Sequence, residues 1–203
     1  GEDPFLVSLM AGTYIRNLEQ NGIVATPKHF VANVGDGGRD SYPIHSSELL
    51  LNELYFPPFK YAVQQAGARS IMTAYNSVNG IPATANDWLL NKKLKQDWGF
   101  KGFVISDAGA VGGSTVLHHT TADYPASSAD AINNGLDVIF QTQYKHHELF
   151  MPPFLDGSIS KERIDDAVRR VLRIKFELGL FEQPFIDENE AAKWVSNPAH
   201  KKL

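Results

Sequence analysis

The sequence predicts an α/β fold in which about four parallel strands alternate with helices. Short apolar runs that lack polar alternation recur along the chain, and such runs are typical of strands covered on both faces. Helical patterns fill the intervals of about 30 to 50 residues between them, which is the order of βαβ units with right-handed crossovers. Four strands are half of an eight-stranded barrel, so we expect a partial (β/α)8 barrel similar to half of a TIM barrel, with a small open sheet as the alternative.

Each predicted strand leads to residues that can carry chemistry. The strands are residues 23–26, 70–75, 103–106 and 136–140. Because reactive side chains in parallel α/β folds gather at the C-terminal ends of the strands, this pattern selects four places for a site. They are Lys28 with His29, Met72 with Tyr75, Asp107, and Asp137 with Gln141.

The predicted helices begin and end at local signals. Asp3 before Pro4 is typical of an N-cap followed by the first helical residue, and Asn21 with the glycine after it ends the first helix. Ser160 and Gly179 have the corresponding roles at the two ends of the last helix. The other helices are predicted within 46–65, where two prolines interrupt the pattern, from Asn86 to Trp98, and over a short Ala-rich stretch that ends at Asn134 and follows a polar segment at 112–128.

The composition excludes several classes of function. The 203 residues carry a net charge of −4, so we expect no basic face for a nucleic-acid backbone or an anionic membrane. The chain has no cysteine, which excludes disulfide scaffolds, thiol catalysis and thiolate-bound metals. No run of about 18 apolar residues is available for a membrane span. We therefore expect neither a nucleic acid nor a membrane as a partner.

The sequence indicates neither a metal nor a cofactor. His118 and His119 are adjacent, as are His146 and His147, and neighbouring residues on a helix point about 100° apart, so one ion seldom binds both. The Gly-rich segment at 35–38 lacks the strand-to-helix fingerprint and the Lys-Ser/Thr pair of phosphate-binding loops. Nucleotide binding is therefore not expected.

Asp107 is the sharpest candidate for chemistry. It directly follows an apolar strand, and the small residues at 108–110 let a ligand approach a partly desolvated carboxylate. The alternative is that Asp107 only caps the next helix. Lys28 and His29 could clamp hydroxyls or an anion, or lie in solvent as ordinary loop residues. A further alternative makes Lys28 the Schiff-base amine of an aldolase-like barrel, which requires a desolvated lysine.

Five segments, read together, resemble glycoside hydrolase family 3. They are GEDPF at 1–5, ATPKHF at 25–30, MTAYNSVNG at 72–80, WGFKGFVISD at 98–107 and RIKFELG at 173–179. The resemblance implies hydrolysis of terminal non-reducing β-D-glycosides with retention, with an oligosaccharide or an aryl β-glycoside as the substrate. It also makes Asp107, the aspartate of the Ser-Asp motif, the nucleophile. It also implies that Lys28 and His29 bind sugar hydroxyls and that Met72 and Tyr75 lie beside the nucleophile.

The groups expected around Asp107 fit attack by a carboxylate. A nearby Lys28 ammonium would favour the ionised form, and Tyr75 could donate a hydrogen bond to the carboxylate. Arg39 and Asp40 are candidates for further sugar contacts. A retaining enzyme also needs a second carboxyl group as acid/base, roughly 5–5.5 Å from the nucleophile.

The resemblance also implies a domain organisation. It assigns residues 1–182 to the later part of the family's N-terminal (β/α)8-type domain and makes the polar tail, 183–203, a linker toward a second domain, which supplies the acid/base in most of the family. The chain opens without a Met or a signal peptide. We therefore expect a longer protein, of which these residues are a part, to supply the remaining strands and the second domain. The isolated chain is expected to be inactive. The resemblance favours a secreted or periplasmic location.

Two features bear on the sugar. Many β-glucosidases of the family have Trp after the nucleophile, whereas this chain has Ala108, and the long stretch from Asp107 to Asp137, with His118 within it, resembles the β-xylosidase branch. The sequence thus leans to β-xylosides over β-glucosides. One alternative is a β-N-acetylhexosaminidase of the same family, whose Asp-Ser-His motif is DSY at 40–42 in this chain. Another is a non-catalytic fragment that lacks the acid/base.

Overall fold

The protein, a computed structural model that describes residues 1–34, 40 and 42–202, is rich in helices. The α-helices are α1 (Pro4–Gln20), α2 (Glu48–Leu50), α3 (Phe56–Gln64), α4 (Ala110–Val116), α5 (Tyr124–Asn133), α6 (Pro152–Leu155), α7 (Lys161–Glu177) and α8 (Glu188–Trp194). Further helical segments are the π-helices Leu51–Tyr55 and Trp88–Asp97 and the 3-10 helices Ala83–Ala85, Tyr144–Phe150 and His200–Lys202. Within these residues we find no helix whose length and apolar character would allow it to cross a membrane.

The strands form two small sheets. They are β1 (Ser70–Met72), β2 (Ser77–Val78), β3 (Ile81–Pro82) and β4 (Phe103–Ile105). β1 and β4 pair in parallel with Ile71 opposite Val104, whereas β2 and β3 form an antiparallel hairpin. The parallel pairing of strands that are separated by helices confirms the α/β class.

The first predicted strand, 23–26, lies too early in the chain. The residues that pair with β1 are later: Pro27 O accepts the N–H of Met72 at 3.2 Å, and Phe30 N–H donates to Met72 O at 2.8 Å. The N–H of Ala25, by contrast, donates to a side chain, the Glu19 carboxylate, at 2.8 Å. The segment 27–30 is therefore an extended edge that a single parallel bridge, Phe30 to Thr73, fixes against β1.

The fourth predicted strand, 136–140, is also reduced to one bridge, between Val138 and Ile105. The reason is the side chain of Asp137, whose Oδ2 accepts the N–H of Val104 at 2.8 Å in place of a backbone carbonyl. The N–H groups of Asp137 and Val138 both donate to Val104 O, at 2.9 and 3.0 Å. A carboxylate thus interrupts the regular ladder, and the four predicted strands become two strands with an extended segment on each side.

The hairpin of β2 and β3 was not among the predicted strands. Asn79 and Gly80 both have positive φ, 51° and 86°, as the two central residues of a type I′ turn require. An Asn-Gly pair between β-prone residues is the usual signal for this turn, so the hairpin could have been found from the sequence.

The helix signals are confirmed at the caps. The Asp3 carboxylate accepts the N–H of Phe5 at 2.8 Å at the start of α1, and the Ser160 hydroxyl accepts the N–H of Arg163 at 3.2 Å at the start of α7. The helical stretch through the two prolines is also present, because α2, a π-helix and α3 follow one another without a gap.

Helix α4 and the start of α5 lie in the segment 112–128 that was predicted as a polar connection. Gly112 and Gly113 lower the helix propensity of this segment, which hides it from sequence patterns. A Cβ at Gly112 would lie 2.9 Å from Cε1 of Tyr124. The glycine therefore allows α4 to pack closely against α5.

A buried aromatic cluster supports the segment 27–30. The ring of Phe30 is fully buried and lies 6.0 Å from the ring of Phe56 and 5.8 Å from that of Trp98, measured between centroids. Because Phe30 directly follows His29, this packing fixes the backbone that carries the imidazole. The core therefore determines where one of the predicted site residues lies.

A buried network of charges joins the start of β4 to α7. The side chain of Asp137 is 0% exposed, and its Oδ1 accepts hydrogen bonds from Lys95 Nζ at 2.9 Å and from the Arg163 guanidinium. Lys95 also donates to Gly135 O at 2.7 Å. Burial lowers the pKa of Lys95 from 10.5 to about 8, against the opposing effect of the Asp137 carboxylate.

We expect Lys95 to make the free energy of unfolding rise with pH between about 8 and 10.5. In that range the unfolded lysine, with a pKa of 10.5, binds more protons than the folded one, with a pKa of about 8, so the folded state gains stability as the pH increases. Urea unfolding of the unsubstituted chain, called the parent chain below, and of Lys95→Met at about pH 7 and about pH 10 measures this contribution. The variant should lack it.

The matched control for this measurement is Lys161→Met. Lys161 is exposed, and its hydrogen bond with Asp165 raises its pKa, so its replacement should leave the rise in place. An equal pH dependence in Lys95→Met and in the parent chain would contradict the assignment.

Candidate active site

Asp107 lies two residues after the end of β4 and is 7% exposed. Its Oδ1 accepts the N–H of Ala108 at 2.7 Å, and its Oδ2 lies 2.9 Å from Nε2 of His29. Helix α4 begins three residues later, with Gly109 in the N-cap position. The carboxylate is therefore bonded to the next peptide and to an imidazole, which is not the arrangement of a helix cap.

His29 is the residue of the segment 27–30 that contacts Asp107. Its side chain is 26% exposed, and β1 lies between its segment and β4. Lys28 is exposed. The cation expected beside Asp107 was Lys28, but the group at ion-pair distance is His29. The exposure of Lys28 also argues against a Schiff-base lysine, which needs a desolvated amine.

The hydroxyl of Tyr75 bonds to the residue after Asp107 and not to the carboxylate itself. The Tyr75 O–H donates to the carbonyl of Ala108 at 2.8 Å. A phenol has only one proton to donate, so the predicted donation to the carboxylate is replaced by a bond to the residue that follows it. Met72, the last residue of β1, is half-buried, and its backbone bonds to the segment of His29.

One predicted position, Asp137, does not join this group. Asp137 was selected as a strand-end residue, yet it lies in the buried charge network at the start of β4 and serves the fold. Arg39 lies outside the described residues, while Asp40 is exposed. In the part of the chain that the structure describes, no group of three His, Asp or Glu side chains could hold a metal ion.

A cleft of about 970 Å³ opens beside His29. Its walls are largely apolar and come from α1, α3 and the segment that precedes the imidazole, with Lys28 and Asn33 as polar groups near His29. A small polar ligand that reached Asp107 from this side would meet the imidazole first.

The contact of His118 was not predicted from the sequence, where this residue was considered as a metal ligand and as a feature of the β-xylosidase branch. His118 Nε2 lies 2.7 Å from the carbonyl oxygen of Tyr75, which is 43 residues earlier in the chain. No local pattern relates these two residues, so the contact becomes visible only once α4 is folded against the loop after β1.

Comparison with known proteins assigns the scaffold to a class. An α/β fold that presents a carboxylate and an imidazole where parallel strands end is typical of barrel enzymes. Residues 1–174 match the model of the N-terminal domain of glycosyl hydrolase family 3. The chain belongs to glycoside hydrolase family 3.

The relatives with known names are β-glucosidases and β-xylosidases. Beta-glucosidase B of Emericella nidulans is 36% identical over 204 residues, covering 100% of this chain and 22% of the relative. A beta-xylosidase of Formosa agariphila is 32% identical over 202 residues, covering 90% of this chain and 27% of the relative. The chain therefore spans about a quarter of the length of the curated relatives it matches.

Solved structures agree with this assignment. A β-glucosidase from Erythrobacter marinus superposes with a TM-score of 0.91 at 31% identity, covering 99% of this chain and 28% of that one. A β-glucosidase from Listeria innocua, solved in complex with glucose, superposes with a TM-score of 0.81 at 31% identity, covering 91% and 26%.

Proposed function

We propose that this chain carries the nucleophile and the sugar-binding residues of a retaining β-glycoside hydrolase. The observation that supports this most directly is the pairing of Asp107, a nearly buried carboxylate at a strand end, with the imidazole of His29 at 2.9 Å. The family membership of the chain and the names of its relatives give the reaction class. Asp107 is then the group that attacks the anomeric carbon.

The contacts of Asp107 suit this role. Oδ1 is held by the backbone N–H of Ala108, which orients the carboxylate, while Oδ2 faces a side chain that can rotate toward a sugar hydroxyl. In the first step a carboxylate oxygen bonds to the anomeric carbon, the bond to the leaving oxygen breaks, and an acid protonates that oxygen. In the second step the acid that protonated the leaving oxygen acts as a base and deprotonates a water molecule. The water oxygen bonds to the anomeric carbon, and the bond between that carbon and Asp107 breaks.

We further propose that the acid/base comes from a part of the protein other than residues 1–182, and that residues 183–203 are a linker toward it. Among the described residues, Asp107 has His29 and Ala108 as its partners, with no second carboxyl group in contact. The two carboxyl groups of a retaining site must lie about 5–5.5 Å apart. The resemblance to the family supports a second domain as the source of that residue.

The substrate class that we propose is β-glucosides and β-xylosides. Ala108 gives a neighbouring sugar no aromatic ring next to the nucleophile. This difference is the basis for preferring β-xylosides over β-glucosides as the substrate. The named relatives include enzymes for both sugars. Paired reagents that differ only in the sugar therefore decide between them.

We expect activated 2-fluoro glycosides to label Asp107. The fluorine destabilises the oxocarbenium-like transition states of both steps, and a 2,4-dinitrophenolate leaves without protonation, so the glycosyl-enzyme forms and then persists even without the acid/base. The xyloside and the glucoside are incubated separately with the chain, and the labelled peptide is mapped by mass spectrometry. The faster of the two reagents identifies the preferred sugar.

The control for this labelling is Asp107→Asn, which should fold as the parent does and take up no label. Label on Asp40 or Asp137 instead would mean that another carboxylate is the nucleophile. A chain that binds the sugar and takes up no label would support a non-catalytic role.

Replacement of Lys28 or His29 by Ala should lower kcat/KM for an aryl β-glycoside by at least about 10²-fold, or roughly 2.7 kcal/mol. Hydrogen bonds from these side chains to sugar hydroxyls strengthen in the transition state, so their loss slows the reaction as well as weakening binding. The measurement uses the protein together with the part that supplies the acid/base. Lys92→Ala, an exposed lysine of the π-helix Trp88–Asp97, is the control that should remain active. A loss of kcat/KM below about tenfold would mean that Lys28 and His29 are ordinary loop residues.

A chain of these 203 residues alone should show little hydrolysis of an unactivated β-glycoside. Without an acid to protonate the leaving oxygen, an alkoxide would have to depart, and general acid catalysis contributes about 10² to 10⁴-fold. The test compares release of glucose or xylose from a disaccharide with labelling by the dinitrophenyl reagent. Efficient cleavage of the disaccharide by the isolated chain would contradict a separate acid/base.

A further inference from the structure

The loop that follows β1 is bonded on two sides to the region of Asp107. Its residue Tyr75 donates its phenolic proton to the carbonyl of Ala108 at 2.8 Å. The same residue accepts, through its own carbonyl, a hydrogen bond from His118 Nε2 at 2.7 Å. Ala108 in turn donates its N–H to Oδ1 of Asp107 at 2.7 Å. A series of three hydrogen bonds, joined to one another through the covalent bonds of Tyr75 and Ala108, therefore connects the His118 imidazole with the carboxylate.

The covalent chain closes this series into a ring. Helix α4 begins at Ala110, two residues after Ala108, and His118 lies two residues after the end of that helix at Val116. The ring thus contains Ala108, α4, His118 and Tyr75. The backbone on both sides of the Asp107 side chain is held, by β4 before it and by this ring after it.

We propose that His118 is a positioning residue for the nucleophile: it holds Tyr75, which holds Ala108, which orients the carboxylate of Asp107. The proposal rests on the function proposed above for Asp107. His118 does not touch the carboxylate. Its proposed role is in the rate of attack rather than in sugar binding.

The alternative, that His118 only completes the C-terminus of α4, does not account for its partner. The backbone N–H groups of Leu117 and His118 both donate to Gly113 O, and these bonds already terminate the helix. The imidazole reaches instead to a loop 43 residues earlier in the chain. Because a carbonyl oxygen only accepts, Nε2 of His118 carries the proton in this contact.

The loop that His118 holds also contacts the other half of the site. Ala74 N–H donates to Phe30 O at 2.8 Å, next to His29, and Thr73 N–H donates to Ile105 O at 2.9 Å, two residues before Asp107. A shift of this loop would therefore move both partners of the carboxylate together. A displacement of about 1 Å at a reacting group can lower a rate by about 10²-fold.

The test compares His118→Leu, which removes the donor, with His118→Gln, whose Nε2 amide can still donate. The probe is the dinitrophenyl 2-fluoro glycoside that labels Asp107, with the rate of covalent capture (kinact) and the dissociation constant before capture (Ki) measured separately. We expect His118→Leu to lower kinact by about tenfold or more with Ki within about twofold, and His118→Gln to recover most of kinact. His119→Asn is the control that should behave as the parent, because His119 is exposed and Asn tolerates its positive φ of 54°.

A second readout follows the ring without any reaction. The amide proton of Ala108, which is bonded to a carboxylate, has its own resonance in a ¹H–¹⁵N spectrum, and this resonance should move in His118→Leu and return in His118→Gln. Thermal unfolding of each variant checks that the fold is intact.

The outcomes separate the two proposals. Failure of the parent chain to take up label overturns the proposed function, and this inference with it. Labelling of the parent at Asp107 with an unchanged kinact in His118→Leu, or with an unmoved Ala108 resonance, overturns the role of His118 alone. Equal loss of kinact in the Leu and Gln variants, together with equal loss of thermal stability, would make His118 a structural residue only.

Discussion

The hydrogen bonds along both edges of β1 are the constraint on which the site depends. One edge pairs with β4, and the other holds the segment 27–30 through Met72 and Phe30. Because the neighbours are parallel, their C-terminal ends lie at the same edge of the sheet. Asp107 follows one neighbour, His29 lies in the other, and Tyr75 follows β1 itself. Residues distant in the sequence therefore meet through the pairing of three residues of backbone, and the buried rings around Phe30 prevent that pairing from sliding.

Two aspartates in this protein show how surroundings decide the role of a carboxylate. Asp137 has both oxygens engaged, Oδ1 by Lys95 and Arg163 and Oδ2 by a backbone N–H, and its side chain is fully buried. Breaking such a buried network leaves charges unpaired, which costs about 3–5 kcal/mol. Asp107 keeps 10% of its side chain exposed. Asp137 is held on both oxygens within the buried network, whereas Oδ2 of Asp107 faces an imidazole that is itself partly exposed.

The parts of the fold that could be predicted from sequence are those with local causes. The caps at Asp3 and Ser160 act within one helical turn, and the strand β4 with Asp107 at its end follows from an apolar run. The predictions were wrong where the local structure depends on a residue far away in the sequence. The carboxylate of Asp137 replaces a backbone acceptor and shortens a strand, and the contact of His118 with Tyr75 depends on how α4 packs. Patterns along the chain do not report such contacts, although the Asn-Gly signal of the β2 and β3 hairpin was available.

The division of partners between the two oxygens of Asp107 fits the demands of the proposed mechanism. A nucleophile must be oriented before the sugar arrives, yet the atom that attacks must be freed when it does. A backbone N–H, such as that of Ala108, moves only with the main chain, so it suits the first demand. The contact with His29 joins two side chains, one of them 26% exposed, so it suits the second. In the proposed reaction the sugar hydroxyls take over the imidazole while Oδ1 stays in place, and the rigidity of the Ala108 peptide then sets how accurately Oδ2 is aimed. In our proposal that rigidity comes from the hydrogen bond of Tyr75 to Ala108 and, one hydrogen bond further away, from that of His118 to Tyr75.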